Sequence, residues 1–86
     1  MSIRVELTYD MGKVIGEHTF EIDSAATVAD VVEQTRARFA GGEEFAQLAR
    51  VARVAVNGVL VAHREGMKTK LSDGDRVGFV KAAAGG

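Results

Sequence analysis

The chain ends on two glycines, Gly85 and Gly86, and this pair is the part of the sequence best suited to chemistry. A terminal glycine presents its carboxylate with no side chain beside it, and backbone without a Cβ passes where other residues would collide. A Gly-Gly end therefore fits a narrow channel in a partner enzyme. The sequence predicts that the Gly86 carboxylate is the reactive group and that Gly85 gives access to it. A terminus without function is the alternative that the pair alone leaves open.

The other residues give no sign of catalysis within the chain itself. Cysteine is absent, which excludes a thiolate nucleophile, a disulfide and a cysteine metal site. The two histidines, His18 and His63, are too few and too far apart to predict a metal site. No Ser/His/Asp set, phosphate-binding loop or carboxylate pair in an apolar setting is recognisable. We expect a protein that is not an enzyme and that binds no cofactor or metal.

Length and charge narrow the class further. The 86 residues are enough for one domain with a modest core. A formal net charge of −1 creates no global field that favours nucleic acid or an anionic membrane. The sequence has no leader pattern at its start and no apolar run long enough to span a bilayer. We therefore expect a cytoplasmic protein with neither nucleic acid nor membrane as a partner.

The first half of the chain is predicted to form two strands and a helix. Apolar and polar residues alternate over 3–9 and again over 18–23, which predicts two half-buried strands in a hairpin, joined by a connection over 10–16. A start resembling a capping box at Thr27, followed by apolar residues at helical spacing as far as Phe39, predicts the main helix.

The middle of the chain contains the string Gly-Gly-Glu-Glu-Phe at residues 41–45. The same letters are the signature of diguanylate cyclases, in which they lie on a hairpin of a longer domain. Here they fall between helical segments. We interpret the glycines as the stop of the main helix, the glutamates as the first turn of a short second helix over 43–51, and Phe45 as a core aromatic.

The second half is predicted to consist of strands. Asn57-Gly58 lies between apolar runs at 54–56 and 59–62, which is the strongest short-range signal for a two-residue hairpin. After a polar loop and a turn, a last strand is predicted over 76–81.

Two residues near the end of the predicted sheet are expected to face outward. If Val59 and Val61 face the core, Leu60 faces the other way, and alternation places Val80 outward on the last strand. We expect Leu60 and Val80 to form an exposed apolar patch at the root of the tail, which is more informative than a single scattered exposed leucine.

Two segments resemble a known family, the MoaD/ThiS sulfur carriers. Residues 71–77, Leu-Ser-Asp-Gly-Asp-Arg-Val, resemble the family signature L-x-D-G-D-x-V, and residues 54–58 resemble its V-x-V-N-x segment. The spacing from Asp73 to Gly86 is that of the family without a gap. The predicted first strand and main helix also fall in register, so the resemblance covers nearly the whole chain.

The resemblance implies an α+β fold of the β-grasp, ubiquitin-like class. Such a fold is a mixed sheet packed on one main helix plus a short second helix, with the first and last strands parallel. The resemblance also implies a division into a β-grasp domain over residues 1–81 and a flexible C-terminal tail over 82–86 that ends in Gly-Gly.

The resemblance also implies a mechanism. An E1-like adenylyltransferase uses ATP to adenylate the Gly86 carboxylate, a sulfur donor enzyme converts the acyl-adenylate to a thiocarboxylate, and the tail delivers the sulfur to an acceptor biosynthetic enzyme. Molybdopterin synthase large subunit and thiazole synthase are acceptors of this kind. The contact with the activating enzyme is implied at Leu60 and Val80, with Arg76 and Lys81 as rim charges and Ala84 within the tail.

The body and the tail of the chain point to different branches of the family, so the pathway stays open. The stretch over 80–82 looks more like the tail of thiamine-type carriers. The tail lacks the prolines of molybdopterin-type carriers, while thiamine-type carriers are shorter and lack the segment matching residues 40–50. Two other functions remain as alternatives. The first alternative is a ubiquitin-like modifier that is joined through Gly86 to substrate lysines. The second is a non-catalytic interaction module in which the terminal glycines are incidental.

Overall fold

A mixed five-stranded sheet and three helices make up residues 2–81, the part of the chain that the computed structural model describes. Two single turns of 3₁₀ helix, Val61–His63 and Gly66–Lys68, lie between the last two strands. The main elements in chain order are β1 (Ile3–Glu6), α1 (Tyr9–Ile15), β2 (Thr19–Ile22), α2 (Val28–Arg38), α3 (Gly42–Ala49), β3 (Arg53–Val56), β4 (Val59–Leu60) and β5 (Arg76–Val80).

The strand order in the sheet is β2-β1-β5-β3-β4. β1 pairs in parallel with β5, and every other pairing in the sheet is antiparallel. Val5 of β1 lies opposite Phe20 of β2 on one side and opposite Val77 of β5 on the other. The parallel pairing of first and last strands that the resemblance implied is therefore confirmed.

The core lies between one face of this sheet and the helices. Phe45 of α3 is fully buried and meets Phe79 of β5 edge to face, with ring centroids 5.5 Å apart. Burying a large apolar side chain stabilises the fold by about 1.5–3 kcal/mol relative to leaving it exposed. The other core side chains with no exposed surface are Ile3, Val5, Met11, Val28, Val31 and Val77.

The main helix forms where the capping box predicts. The Thr27 hydroxyl accepts a hydrogen bond from the Asp30 amide at 3.3 Å, and the Asp30 carboxylate accepts one from the Thr27 amide at 3.1 Å. These bonds satisfy amides that a helix start otherwise leaves without partners. Val28, Val31 and Thr35 are buried at spacings of three and four residues, so one face of α2 packs on the sheet.

The prediction that Gly41 and Gly42 stop the main helix is wrong in its mechanism. α2 ends at Arg38, and Gly41 is already the N-cap of α3. A Cβ on Gly42 would collide with the carbonyl oxygen of Arg36, so the glycine lets the two helices approach closely. The short second helix is confirmed, with both glutamates in its first turn.

The predicted connection over residues 10–16 is also wrong, because most of it is helical. Tyr9–Ile15 forms α1, capped by the Thr8 hydroxyl, which accepts from the Met11 amide at 3.1 Å. The strand predicted over 3–9 consequently ends at Glu6. β1 and β2 still pair antiparallel, so the predicted pairing holds and a helix replaces the expected turn.

The architecture is a β-grasp, ubiquitin-like fold of the α+β class, as predicted, with one helix more than expected. Within residues 2–81, no helix combines the length and apolar character required to cross a membrane.

Candidate functional site

The predicted reactive end lies outside the described residues. Gly85 and Gly86 fall there, together with the predicted contact Ala84. The structure instead describes the surface from which they follow, where β5 ends at Val80 and Lys81 is exposed. We call residues 82–86 the tail and the surface around Lys81 the tail root.

The predicted contacts Leu60 and Val80 both lie on the face of the sheet turned away from the helices. Leu60 is the cross-strand partner of Ala55, and Val80 is the partner of Arg53. Along β3 and β5 the buried core residues alternate with Arg53, Ala55 and Val80, so these three side chains face the opposite side of the sheet. Leu60 shares that side with its partner Ala55. The outward orientation predicted for both is confirmed, but Arg53 and Ala55 of β3 lie between them.

Leu60 and Val80 differ in exposure. Val80 is 49% exposed, whereas Leu60 is half-buried at the edge of a groove of about 440 Å³. The strand predicted over 59–62 has only two residues. Val59 pairs with the core residue Val56 and so faces the expected side of the sheet, but it lies on the edge strand and is 49% exposed, so its expected burial is wrong. Val61 is buried as expected, but in a 3₁₀ turn. The groove is otherwise lined by Ala49, Arg50, Ala52, Arg53, Val54, Val61, Ala62, Gly66 and Met67.

The predicted rim charges, Arg76 and Lys81, lie at different ends of β5. Arg76 begins the strand, about 13 Å from Val80 at the usual strand rise. Its Nε lies 3.6 Å from Glu6 Oε1, and Arg4 Nε lies 3.5 Å from the other oxygen of the same carboxylate. Lys81 follows Val80 directly. Of the two charges, only Lys81 is at the tail root.

Sequence reasoning missed two residues at the tail root, Tyr9 and Val51. Tyr9 is 70% exposed at the start of α1, and Val51 is 71% exposed just after α3. The alternation over 3–9 predicts a strand at Tyr9, and the short second helix is predicted to end at Val51. Thr8 as a cap, followed by Met11 and Ile15 four residues apart, was the signal that pointed to α1.

The opposite end of the sheet holds the two segments that carry the family resemblance. Asn57 has φ 51° and Gly58 φ 84°, and these positive values at both turn positions confirm the predicted hairpin. The side-chain Nδ2 of Asn57 donates to Asp75 Oδ1 at 2.9 Å, and the Arg76 backbone amide donates to Asn57 Oδ1 at 3.0 Å. The signature segment is thus bound to the hairpin.

Both carboxylate oxygens of Asp75 accept hydrogen bonds in this network. Its second oxygen accepts from the Ser72 backbone amide at 2.8 Å. Because hydrogen bonds to the ionised form favour it, this bond first and the Asn57 bond second lower the pKa of Asp75 below its ordinary value of 3.8. The contacts hold the start of β5, so the role that this geometry gives the Asp-Gly-Asp turn is structural.

The described part of the chain has no candidate site for binding a metal ion. Residues 2–81 contain no cluster of three or more potential His, Cys, Asp or Glu ligands. His18 instead stacks on the Tyr9 ring, with centroids 5.9 Å apart.

The fold and the exposed tail root define a ubiquitin-like protein, and comparison with known proteins supplies its family. The model of the ThiS family matches residues 9–86, and the chain belongs to this family. The match confirms the resemblance to the MoaD/ThiS carriers. No curated protein sequence matches the chain.

Solved structures agree. The chain is similar to the HVO 2177 protein of Haloferax volcanii, with 29% identity over 100% of this chain and 87% of that one, and a TM-score of 0.77. It is similar to a chain of the BexX/CysO complex of Amycolatopsis orientalis, with 26% identity, coverages of 98% and 99%, and a TM-score of 0.80.

A third structure, the small archaeal modifier protein SAMP1 of Methanosarcina acetivorans, has 19% identity, coverages of 99% and 96%, and a TM-score of 0.79. At that identity the likeness concerns the fold. Family and fold together place the chain among the ubiquitin-fold carriers of the ThiS/MoaD type.

Proposed function

We propose that this protein is a sulfur carrier whose Gly86 carboxylate is adenylated by an E1-like enzyme and then converted to a thiocarboxylate. The observation that supports this most directly is the ThiS-family match, because it extends over residues 9–86 and includes both terminal glycines. The absence of cysteine agrees with it, since the transported sulfur would be carried on Gly86 itself.

The chemistry requires activation because a carboxylate is a poor electrophile. In the first step a carboxylate oxygen of Gly86 attacks the α-phosphorus of ATP, forming the acyl-adenylate and releasing pyrophosphate. In the second step hydrosulfide supplied by the donor enzyme attacks the acyl carbon. The C–S bond forms, AMP leaves with the electrons of the C–O bond, and Gly86 becomes the thiocarboxylate. ATP binds to the activating partner, so the carrier acts as a substrate and needs no cofactor of its own.

The tail accounts for how the carboxylate reaches the partner's nucleotide. We propose that residues 1–81 dock as a domain and that residues 82–86 form a flexible extension. Five residues span at most about 17 Å when fully extended. Two glycines at the end leave the acyl carbon without neighbouring side chains, so a nucleophile approaches it without obstruction.

The acceptor is proposed to be a biosynthetic enzyme that binds the tail when it carries the thiocarboxylate. The Amycolatopsis structure is a complex of BexX with CysO, and this supports a protein partner for the present chain. Molybdopterin synthase large subunit and thiazole synthase represent the class of acceptor. Val80 and Lys81, next to the tail, are the predicted contacts best placed for such a partner, and Leu60 would contribute from the outer face of the sheet.

Adenylation of three chain ends tests the proposal. Full-length protein, protein lacking Gly86 and protein with one residue added after Gly86 are incubated with ATP and the cognate activating enzyme, and the AMP adduct is measured by intact mass. We expect an adduct on the full-length protein alone, because both changes move or obstruct the carboxylate. The three melting temperatures should agree. Equal adenylation of the truncated chain would refute the carrier and the modifier functions together and would leave the interaction module.

The nucleophile in the second step separates the carrier from the modifier. Addition of a sulfide donor should replace one terminal oxygen by sulfur in the intact mass. A chain isolated from its host with lysine adducts ending in Gly-Gly, and with no thiocarboxylate, would instead identify a modifier.

A further inference from the structure

Three exposed apolar side chains surround the point where the tail leaves the domain. Tyr9, Val51 and Val80 are 70%, 71% and 49% exposed. They come from three different elements, since Tyr9 begins α1, Val51 follows α3 and Val80 ends β5. We call these three residues the root collar.

The collar borders two surface depressions, and Lys81 lines both of them, so the two form one continuous surface. One depression of about 380 Å³ contains the Tyr9 and Val80 side, and another of about 210 Å³ contains the Val51 side. Thr8 and Asp10 also belong to both. The remaining lining residues are Phe79 in the first and Met11, Leu48 and Ala52 in the second.

The chemistry of this surface favours an apolar contact. The only charged side chains that line the two depressions are Asp10 and Lys81, which have opposite signs. Of the five large apolar side chains exposed within residues 2–81, three form the collar, whereas the remaining two, Val59 and Met67, lie elsewhere. Exposed apolar residues gathered in this way mark an interaction surface, in contrast to single scattered ones.

We propose that the root collar is the surface that docks on the mouth of the channel in the adenylating partner, with Tyr9 and Val51 as contacts supplied by α1 and the end of α3. This inference rests on the proposed function. The tail reaches at most about 17 Å beyond Lys81. A partner that encloses the tail down to its last carboxylate must therefore bring its own surface against the residues around Lys81. Because the two charged residues that line the depressions beside the collar, Asp10 and Lys81, have opposite signs, we expect an apolar rim on that partner.

Steady-state adenylation with the full-length chain tests the collar. The variants are Tyr9→Ala and Val51→Lys, and the matched control is Val59→Lys, because Val59 is an exposed valine beside the Asn57-Gly58 turn at the far end of the sheet. We expect KM for the carrier to rise at least about tenfold in each collar variant, with kcat unchanged, since docking is weakened while the carboxylate is intact. Val59→Lys should keep KM within about twofold of wild type.

The outcomes separate this inference from the proposed function. If wild-type protein is adenylated and both collar variants keep its KM, the collar proposal is refuted while the carrier function stands. A rise in KM for Leu60→Asp alone would place the contact on the outer sheet face. If wild-type protein is not adenylated, both proposals fall. Melting temperatures check the fold of each variant, and Val51→Ser replaces Val51→Lys if the lysine prevents folding.

Discussion

The two ends of the β-sheet are built in opposite ways. At one end, the Asn57-Gly58 turn is joined to the turn before β5 and to the first residue of β5 by side-chain and backbone hydrogen bonds of 2.8–3.0 Å. At the other end, β5 finishes at Val80 and the surface around Lys81 is formed by exposed apolar side chains. One end holds the fold together and the other end is available for partners.

This contrast explains what the family signature does. Asp73, Gly74 and Asp75 lie at the hydrogen-bonded end, a full strand away from the tail root. Gly74 donates its amide to the Ser2 carbonyl at 2.8 Å, and Asp73 accepts from the Ser2 amide at 2.7 Å, so the turn also fixes the start of β1. The motif that resembles the family signature therefore secures the parallel β1-β5 pair, whereas the proposed chemistry would take place at Gly86, at the other end of the last strand and its tail.

The largest effect on stability is expected from Asn57→Ala. This change removes both side-chain hydrogen bonds of Asn57. It also leaves an alanine in the left-handed region at φ 51°, without the side-chain hydrogen bonds that stabilise asparagine there. We expect the free energy of unfolding to fall by about 2–4 kcal/mol. The total for a chain of this length is roughly 4–13 kcal/mol. Urea unfolding measures it.

The control for this prediction is Asn57→Gly. Glycine tolerates the positive φ but loses the same hydrogen bonds, so it should show about half of the loss. If the free energy of unfolding of Asn57→Ala lies within about 0.5 kcal/mol of the wild-type value, the hydrogen-bond network at this end contributes no stability. The contrast between the two ends of the sheet is then wrong.

A smaller effect is expected from the ionisation of Asp75. Because its pKa is lower in the folded protein than its ordinary value of 3.8, the ionised form adds stability above that value, and this contribution is lost as the pH falls through the folded pKa. Asp75→Asn should destabilise the protein by about 1 kcal/mol near neutral pH. The difference from wild type should shrink as the pH falls below about 4. A difference that stays constant between neutral and acidic pH would contradict the assignment.

Much of the fold could be predicted from local signals, and the failures have physical causes. The capping box at Thr27 and the Asn57-Gly58 turn are short-range codes, and both structures form as predicted. α1 was missed because its glycine-containing sequence resembles a loop, although Met11 and Ile15 are buried one helical turn apart. Val59 is exposed and not buried as expected, because alternation shows which way a residue faces and does not show that its strand lies at the edge of the sheet.

The candidate site was less predictable than the fold. The orientations of Leu60 and Val80 followed from alternation. The collar required three elements to meet in space, and nothing local to Tyr9 or Val51 indicates that they are neighbours of the tail. Tertiary packing decided the surface around Lys81.

The smallest effect on stability is expected at the tail root, from Val80→Thr. Threonine keeps the branched shape that strands favour, and Val80 is 49% exposed, so its hydroxyl remains hydrated. We expect the free energy of unfolding to stay within about 0.5 kcal/mol of wild type. Val77→Thr is the matched control on the same strand. Val77 is fully buried, so the same hydroxyl must be dehydrated there at about 1–3 kcal/mol. Urea unfolding of both variants compares them directly. If Val80→Thr destabilises the protein as much as Val77→Thr, Val80 is part of the core, and it is then unavailable for docking on a partner.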